Sequence, residues 1–156
     1  MEFRPGIGSL TARLHENEYV GLPLSLFFDI VIPVEPFEYD GETVNTSFAL
    51  DSIELPVLDW RNLSGREFRF PINPEPGYID GSIYLGHVHN PADVTMIRFE
   101  HPRGNLWGVA FDVLIDFTFE GPDELGKVFQ SCQTDLTFDA VGLDRIFAEA
   151  RLRGIK

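Results

Sequence analysis

Leu106 to Glu120 reads LWGVAFDVLIDFTFE. Trp107, Val109, Phe111, Val113, Ile115, Phe117 and Phe119 hold every odd position, and each is large and apolar. The even positions carry Gly108, Ala110, Asp112, Leu114, Asp116, Thr118 and Glu120. A period of two sustained over this length is the signature of a β-strand with one buried face. At about 3.3 Å per residue the stretch would reach about 45 Å, well beyond the usual strand. It is therefore expected to bend so that both ends stay on the core, with Gly108 as the kink point. The rest of the chain is expected to pack against this face.

The flanking sequence alternates in the same way. Leu10, Ala12 and Leu14 mark a short strand over Ser9 to Leu14, followed by a turn at His15 to Glu18. Leu22 to Val34 carries an apolar residue at every even position, and Pro23 and Pro33 place its ends, or the whole strand, at a sheet edge. Glu35 to Thr43 reads as a turn-rich loop with four carboxylates, Glu35, Glu38, Asp40 and Glu42. From Val44 to Leu58 the apolar positions change parity, with Phe48 and Leu50 facing one way and Ile53 and Leu55 the other. A bulge near Asp51 and Ser52 reconciles them.

Arg66 to Phe70 is a further short strand, and the proline-rich Pro71 to Asp80 an extended connection. Ile83 to His89 and Val94 to Glu100 are strands about a turn at Asn90 to Asp93, and a five-residue loop after Glu100 sets Phe99 opposite Trp107. Lys127 to Asp139 is the last strand, with Val128, Cys132, Leu136 and Phe138 on one face. A C-terminal helix follows, capped by Asp144 and striped by Ile146, Phe147 and Ala150. About eight strands with Pro- and Gly-rich turns predict an all-β fold, either an antiparallel β-sandwich or a jelly-roll-like barrel, with one short C-terminal helix. At 156 residues the chain fits one domain, 1–156.

Charge narrows the partners. There are 12 Lys and Arg against 25 Asp and Glu, a net charge of −13. Binding to the nucleic-acid backbone or to an anionic membrane needs clustered cations, so both are excluded as expected partners. The partner class such acidity suits is a protein with a basic surface. Cys132 is the only cysteine, which excludes an intrachain disulfide. No apolar signal segment occupies Met1 to Leu10, and the longest apolar run is too short to span a bilayer, so a cytoplasmic setting is expected.

Chemical motifs are sparse. Gly81, five residues, His87, one residue, His89 and three residues to Asp93 resembles the first motif of the cupins, which are small β-barrels. The resemblance implies a metal held by His87 and His89, with Asp93 as the nearest carboxylate. Asp93 stands in place of the family's glutamate and Glu100 in place of its glycine, and the second cupin motif is not found. Asp112, Asp116 and Glu120 share the outer face of the long strand. Residues four apart there are separated by about 13 Å, too far for a general acid and base pair. Gly81 to Val88 spaces two glycines like a phosphate-binding loop but lacks its Lys.

Trp60, Arg61 and Tyr78 present aromatic and cationic groups in loops and are the candidate partner contacts; the alternative is that these aromatics fold back over the end of the sheet. The reading these features favour is a non-catalytic protein-interaction module, such as an inhibitor or immunity-type protein that captures a basic partner. It needs no cofactor and no metal. The alternative is a cupin-like metalloprotein using His87, His89 and Asp93.

Overall fold

The computed structural model of the chain, which describes residues 1–155, is an all-β barrel with one short C-terminal helix. The strands are β1 (Gly8–Asn17), β2 (Leu22–Tyr39), β3 (Glu42–Ile53), β4 (Glu67–Arg69), β5 (Asp80–Leu85), β6 (Val88–Phe99), β7 (Leu106–Asp116) and β8 (Lys127–Thr137). The helix, α1, spans Ala140–Leu152. All eight strands belong to one sheet, and the pairing of β6 with β7 closes that sheet on itself. β4 pairs only with β6, which leaves seven strands in the ring.

The ring is a meander, each strand antiparallel to the next, without the Greek-key crossings of a jelly roll. Direction alternates around a meander, so in a ring of odd number the first and last strands must run the same way. The closing pair β1–β8 is indeed parallel, and it is short: Gly8 opposite Leu136 and Ser9 opposite Thr137. Towards the N-terminus the seam is bridged by side chains. Phe3 N donates to Gln130 Oε1 at 2.8 Å, Gln130 Nε2 returns a bond to Phe3 O, and Thr134 Oγ1 donates to Gly6 O. On its other side this segment pairs with β2, through Gly6 N to Pro33 O and Glu35 N to Arg4 O.

The inward residues fill the barrel. On β7, Trp107, Val109, Phe111, Val113 and Ile115 are all buried, as the alternation predicts. At one end Phe3, Phe37, Phe48 and Phe117 form an aromatic plug; at the other Trp60, Trp107, Phe99 and Phe138 do the same. α1 packs on the second plug's side, burying Leu143, Phe147 and Ala150, with the Phe147 ring 5.8 Å from that of Phe28. Its N-cap is Asp139, not Asp144. Among the described residues no helix is long and apolar enough to cross a membrane.

Local chemistry explains where the elements depart from the sequence pattern. β7 ends at Asp116 because Asp116 Oδ1 accepts from Thr118 N at 2.9 Å and from Thr118 Oγ1 at 2.6 Å, a side-chain turn that breaks the ladder. Phe117 is still buried, but Phe119 is turned out and 71 % exposed. The acidic loop after Val34 is mostly strand: β2 runs on to Tyr39, and Asp40 and Gly41, both at positive φ, make a two-residue hairpin into β3. β1 likewise continues through His15 to Asn17.

The expected bulge is present at Asp51 and Ser52, with Ser52 at φ 58°. Between β6 and β7 the two-residue turn Gly104–Asn105 pairs Arg103 with Leu106. After a one-residue irregularity between turn and ladder, Phe99 lies opposite Val109, two residues away from the predicted register. An even shift keeps every side chain on its face, and the Phe99 and Trp107 rings still meet at 5.4 Å.

Candidate functional site

The turn between β5 and β6 sets where the two histidines lie. Leu85 pairs with Val88, so the turn is Gly86–His87, with Gly86 at φ 61°, and not Asn90 to Asp93. Asn90 lies in the strand interior, fully buried, its Nδ2 donating to Val88 O at 3.1 Å. His87 is therefore an exposed turn residue, whereas His89 lies in β6 with its ring 5.3 Å from Tyr84. Asp93 lies farther along β6, opposite Leu114, where its Oδ1 accepts from Asn73 N at 3.4 Å. His87 lies in the turn and His89 in the strand, so the two are not an alternating pair within one strand. Among the described residues no group of three His, Cys, Asp or Glu side chains is placed to hold a metal ion.

Trp60 is no exposed anchor. It is buried against Trp107, 5.8 Å between rings, and its Nε1 donates to Asp144 Oδ1 at 2.8 Å. Arg61 lies over the Trp60 ring and donates to both Asp144 oxygens, at 2.7 and 3.1 Å. This arrangement holds the Asp144 carboxyl below the usual carboxylate range, with Arg61 the larger cause and Trp60 the second. It fastens α1 to the barrel, which is the structural role open to aromatics at a sheet end. Tyr78 is half-buried in the connection before β5 and lines a shallow recess with Phe27 and Asp80.

The barrel brings a different set of groups together at the end where β2–β3 and β5–β6 turn and where β7 passes to β8. Glu2, Glu35, Glu38, Asp40, Glu42, Asp116, Glu120, Asp123 and Glu124 lie around this mouth, and the cations among them are Arg4 and Lys127. Lys127 lies 3.7 Å from Asp116. Asp116 is held below the usual range chiefly by the Thr118 hydroxyl, then by the Thr118 amide and Lys127. Tyr39 OH donates to Glu124 Oε1 at 2.6 Å, tying the 117–126 loop to the β2–β3 hairpin. That bond pushes the Tyr39 phenol up to about 12 and Glu124 down.

Between the two hairpins and the loop lies a recess of about 490 Å³, walled by Tyr39, Asp40, Glu42, Val44, Leu85 and Pro122. Phe119 is exposed in the same 117–126 loop as Glu120, Asp123 and Glu124. The four carboxylates at 35–42 are visible in the sequence. Their meeting with 116–124 is not, because only barrel closure brings the two stretches to one end.

A second polar group sits on the barrel wall at the β3 bulge. Arg13 Nε donates to Asp29 Oδ2 at 2.7 Å, Arg13 Nη2 to Ser52 Oγ at 2.8 Å, and Ser52 N to Asp29 Oδ1 at 2.9 Å. The pairing of β3 with β5 sets Asp51 directly opposite Asp80. Partial burial, then Asp29 and Asp80, push the Asp51 carboxyl above its ordinary value. A carboxyl raised in the folded state takes up its proton more readily there than in the unfolded chain, so its charge destabilises at neutral pH and the penalty fades as pH falls through the folded pKa. Asp51→Asn is expected to stabilise the protein at pH 7 by up to about 1 kcal/mol. Thermal melts at neutral pH and in the carboxylate range check it: the gain should shrink on acidification, and a gain that grows would show that Asp51 is not the strained partner.

A comparison with protein-family models, with curated proteins and with solved structures finds no match to this chain.

Proposed function

We propose that the chain is a non-catalytic interaction module whose acidic mouth docks on a basic face of a partner protein, as an inhibitor or immunity-type protein does. One observation carries this reading: nine of the 25 carboxylates gather at one end of the barrel against two cations, with Phe119 exposed among them. A concentrated field of one sign speeds encounter with an opposite surface, and an exposed aromatic supplies the desolvated anchor that charge alone lacks. A nucleic-acid or anionic lipid surface would be repelled by the same field.

The test separates placement of charge from its amount. Asp40→Asn, Glu42→Gln, Asp123→Asn and Glu124→Gln together remove four mouth charges. Glu67→Gln, Glu75→Gln, Asp80→Asn and Glu100→Gln remove four elsewhere. Pull-downs at low and high ionic strength recover the partner, and association rates are then compared. The mouth variant is expected to associate at least about tenfold more slowly at low salt, the second variant within about twofold of the parent, and Phe119→Ser to dissociate faster. Recovery of no basic partner, binding indifferent to salt, or equal loss in both charge variants would overturn the reading.

A further inference from the structure

The β3–β5 ladder ends on a rung that sets Asp51 against Asp80, and like charges directly opposite each other repel. The two sides of this rung are held very differently. On the β3 side the bulge is pinned: Asp29 accepts from Ser52 N and from Arg13 Nε, and Arg13 Nη2 also donates to Ser52 Oγ. On the β5 side Asp80 opens directly onto the connection 71–79. Among the described residues, that connection makes one hydrogen bond to the barrel, from Asn73 N to Asp93 Oδ1 on β6. Its other backbone bonds, Glu75 N to Ile72 O and Tyr78 N to Glu75 O, are internal. Gly77 and the half-buried Tyr78 close one side of a recess of about 280 Å³, which Phe27, Ser52, Glu54 and Asp80 complete. Repulsion across the rung is therefore relieved by movement on the Asp80 side and not at the pinned bulge.

The charged groups about the rung come from each neighbouring element. Partial burial raises the Asp51 carboxyl most, Asp29 of β2 and Asp80 of β5 raise it further, and Arg13 of β1 opposes them. Glu54 follows β3 along the recess, Asp93 of β6 holds Asn73, and Glu75 lies in the connection. Arg13 is already engaged by Asp29 and Ser52, so it does not neutralise the rung. We propose that Asp51 and Asp80 form a proton-operated clasp: a proton shared between the two carboxyls joins the start of β5 to β3 and seats Tyr78 over the recess, and loss of that proton lets the connection 71–79 lift. The direction follows from linkage. Carboxyls held side by side bind a proton more tightly than carboxyls apart, so falling pH favours the seated state. The device is independent of what the mouth binds.

Amide exchange at Gly77 and Tyr78 in the full chain, corrected for the intrinsic pH dependence of exchange, tests it. In the parent, protection at these amides should rise about threefold between neutral pH and the carboxylate range. Added salt at neutral pH should recover part of that rise, because it screens the same repulsion. Asp51→Asn and Asp80→Asn are isosteric changes at exposed positions, and each gives the remaining carboxylate a donor as the shared proton does. In both variants protection should already be high at neutral pH and should respond to neither acid nor salt. Glu54→Gln, a carboxylate on the same recess but outside the rung, should titrate as the parent does. Protection that is equal at the two pH values in the parent would overturn the proposal. So would a pH response that survives in Asp51→Asn and Asp80→Asn, or one that Glu54→Gln abolishes equally.

Discussion

Phe111→Ala is expected to lower the unfolding free energy by about 3–5 kcal/mol, whereas Asp112→Ala, its neighbour in the chain, should cost well under 1 kcal/mol. Phe111 lies at the centre of β7, fully buried, with its ring 5.9 Å from Phe48 in an edge-to-face contact. Its strand neighbours, Ile97 on β6 and Cys132 on β8, are buried as well. A methyl group in its place leaves a cavity that a closed ring of strands has little freedom to collapse. Asp112 points outward and accepts one exposed hydrogen bond, from Ser131 Oγ at 2.6 Å. Urea unfolding of the two variants measures the difference, and equal shifts in midpoint would mean that the faces of β7 are assigned the wrong way round.

Phe3→Ala should cost as much, about 3–5 kcal/mol, although the residue is third in the chain. Its side chain is 1 % exposed and lies among Phe37, Phe48 and Phe117, and its backbone is bonded at both N and O to the Gln130 side chain. Gln130→Ala removes that bridge and is expected to cost about 1–3 kcal/mol. The double variant should lose less than the sum, because both changes open the same seam. Amide exchange at Ser9 and Thr137 reads the seam directly and should quicken in both variants. A Phe3→Ala loss below about 1 kcal/mol would instead describe a fraying terminus.

The features legible in the sequence are those set by side-chain period. β2, β7 and β8 show their buried faces as alternation, and the parity change between Leu50 and Ile53 locates the bulge at Ser52. What escapes is set by single side-chain bonds or by closure. The Asp116–Thr118 bonds end β7 before its apolar pattern does. Asn90 and Pro91 have turn composition, yet Gly86–His87 turns, because a glycine at positive φ matches the strand twist and Asn90 is held inside by the carbonyls of Val88 and Ile83. The candidate site suffers most. The His87–His89 spacing is meaningful only within one strand, and Trp60 belongs to a plug that no local pattern announces. Residues 1–7 carry no period of their own, and Phe3 becomes core only once β8 is beside it.

The odd-numbered ring also dictates an order of events during synthesis. Phe3 and Gly8 meet Gln130 and Thr137, partners separated by 127 and 129 positions, so nothing made early can complete the seam. Contacts this distant place the protein among slowly folding topologies. While β2 to β7 emerge, β1 offers an unpaired edge, and an exposed edge invites pairing with another nascent chain. With a net charge of −13, neighbouring unfinished barrels repel one another. The last strand to leave the ribosome is the one that ties down the first.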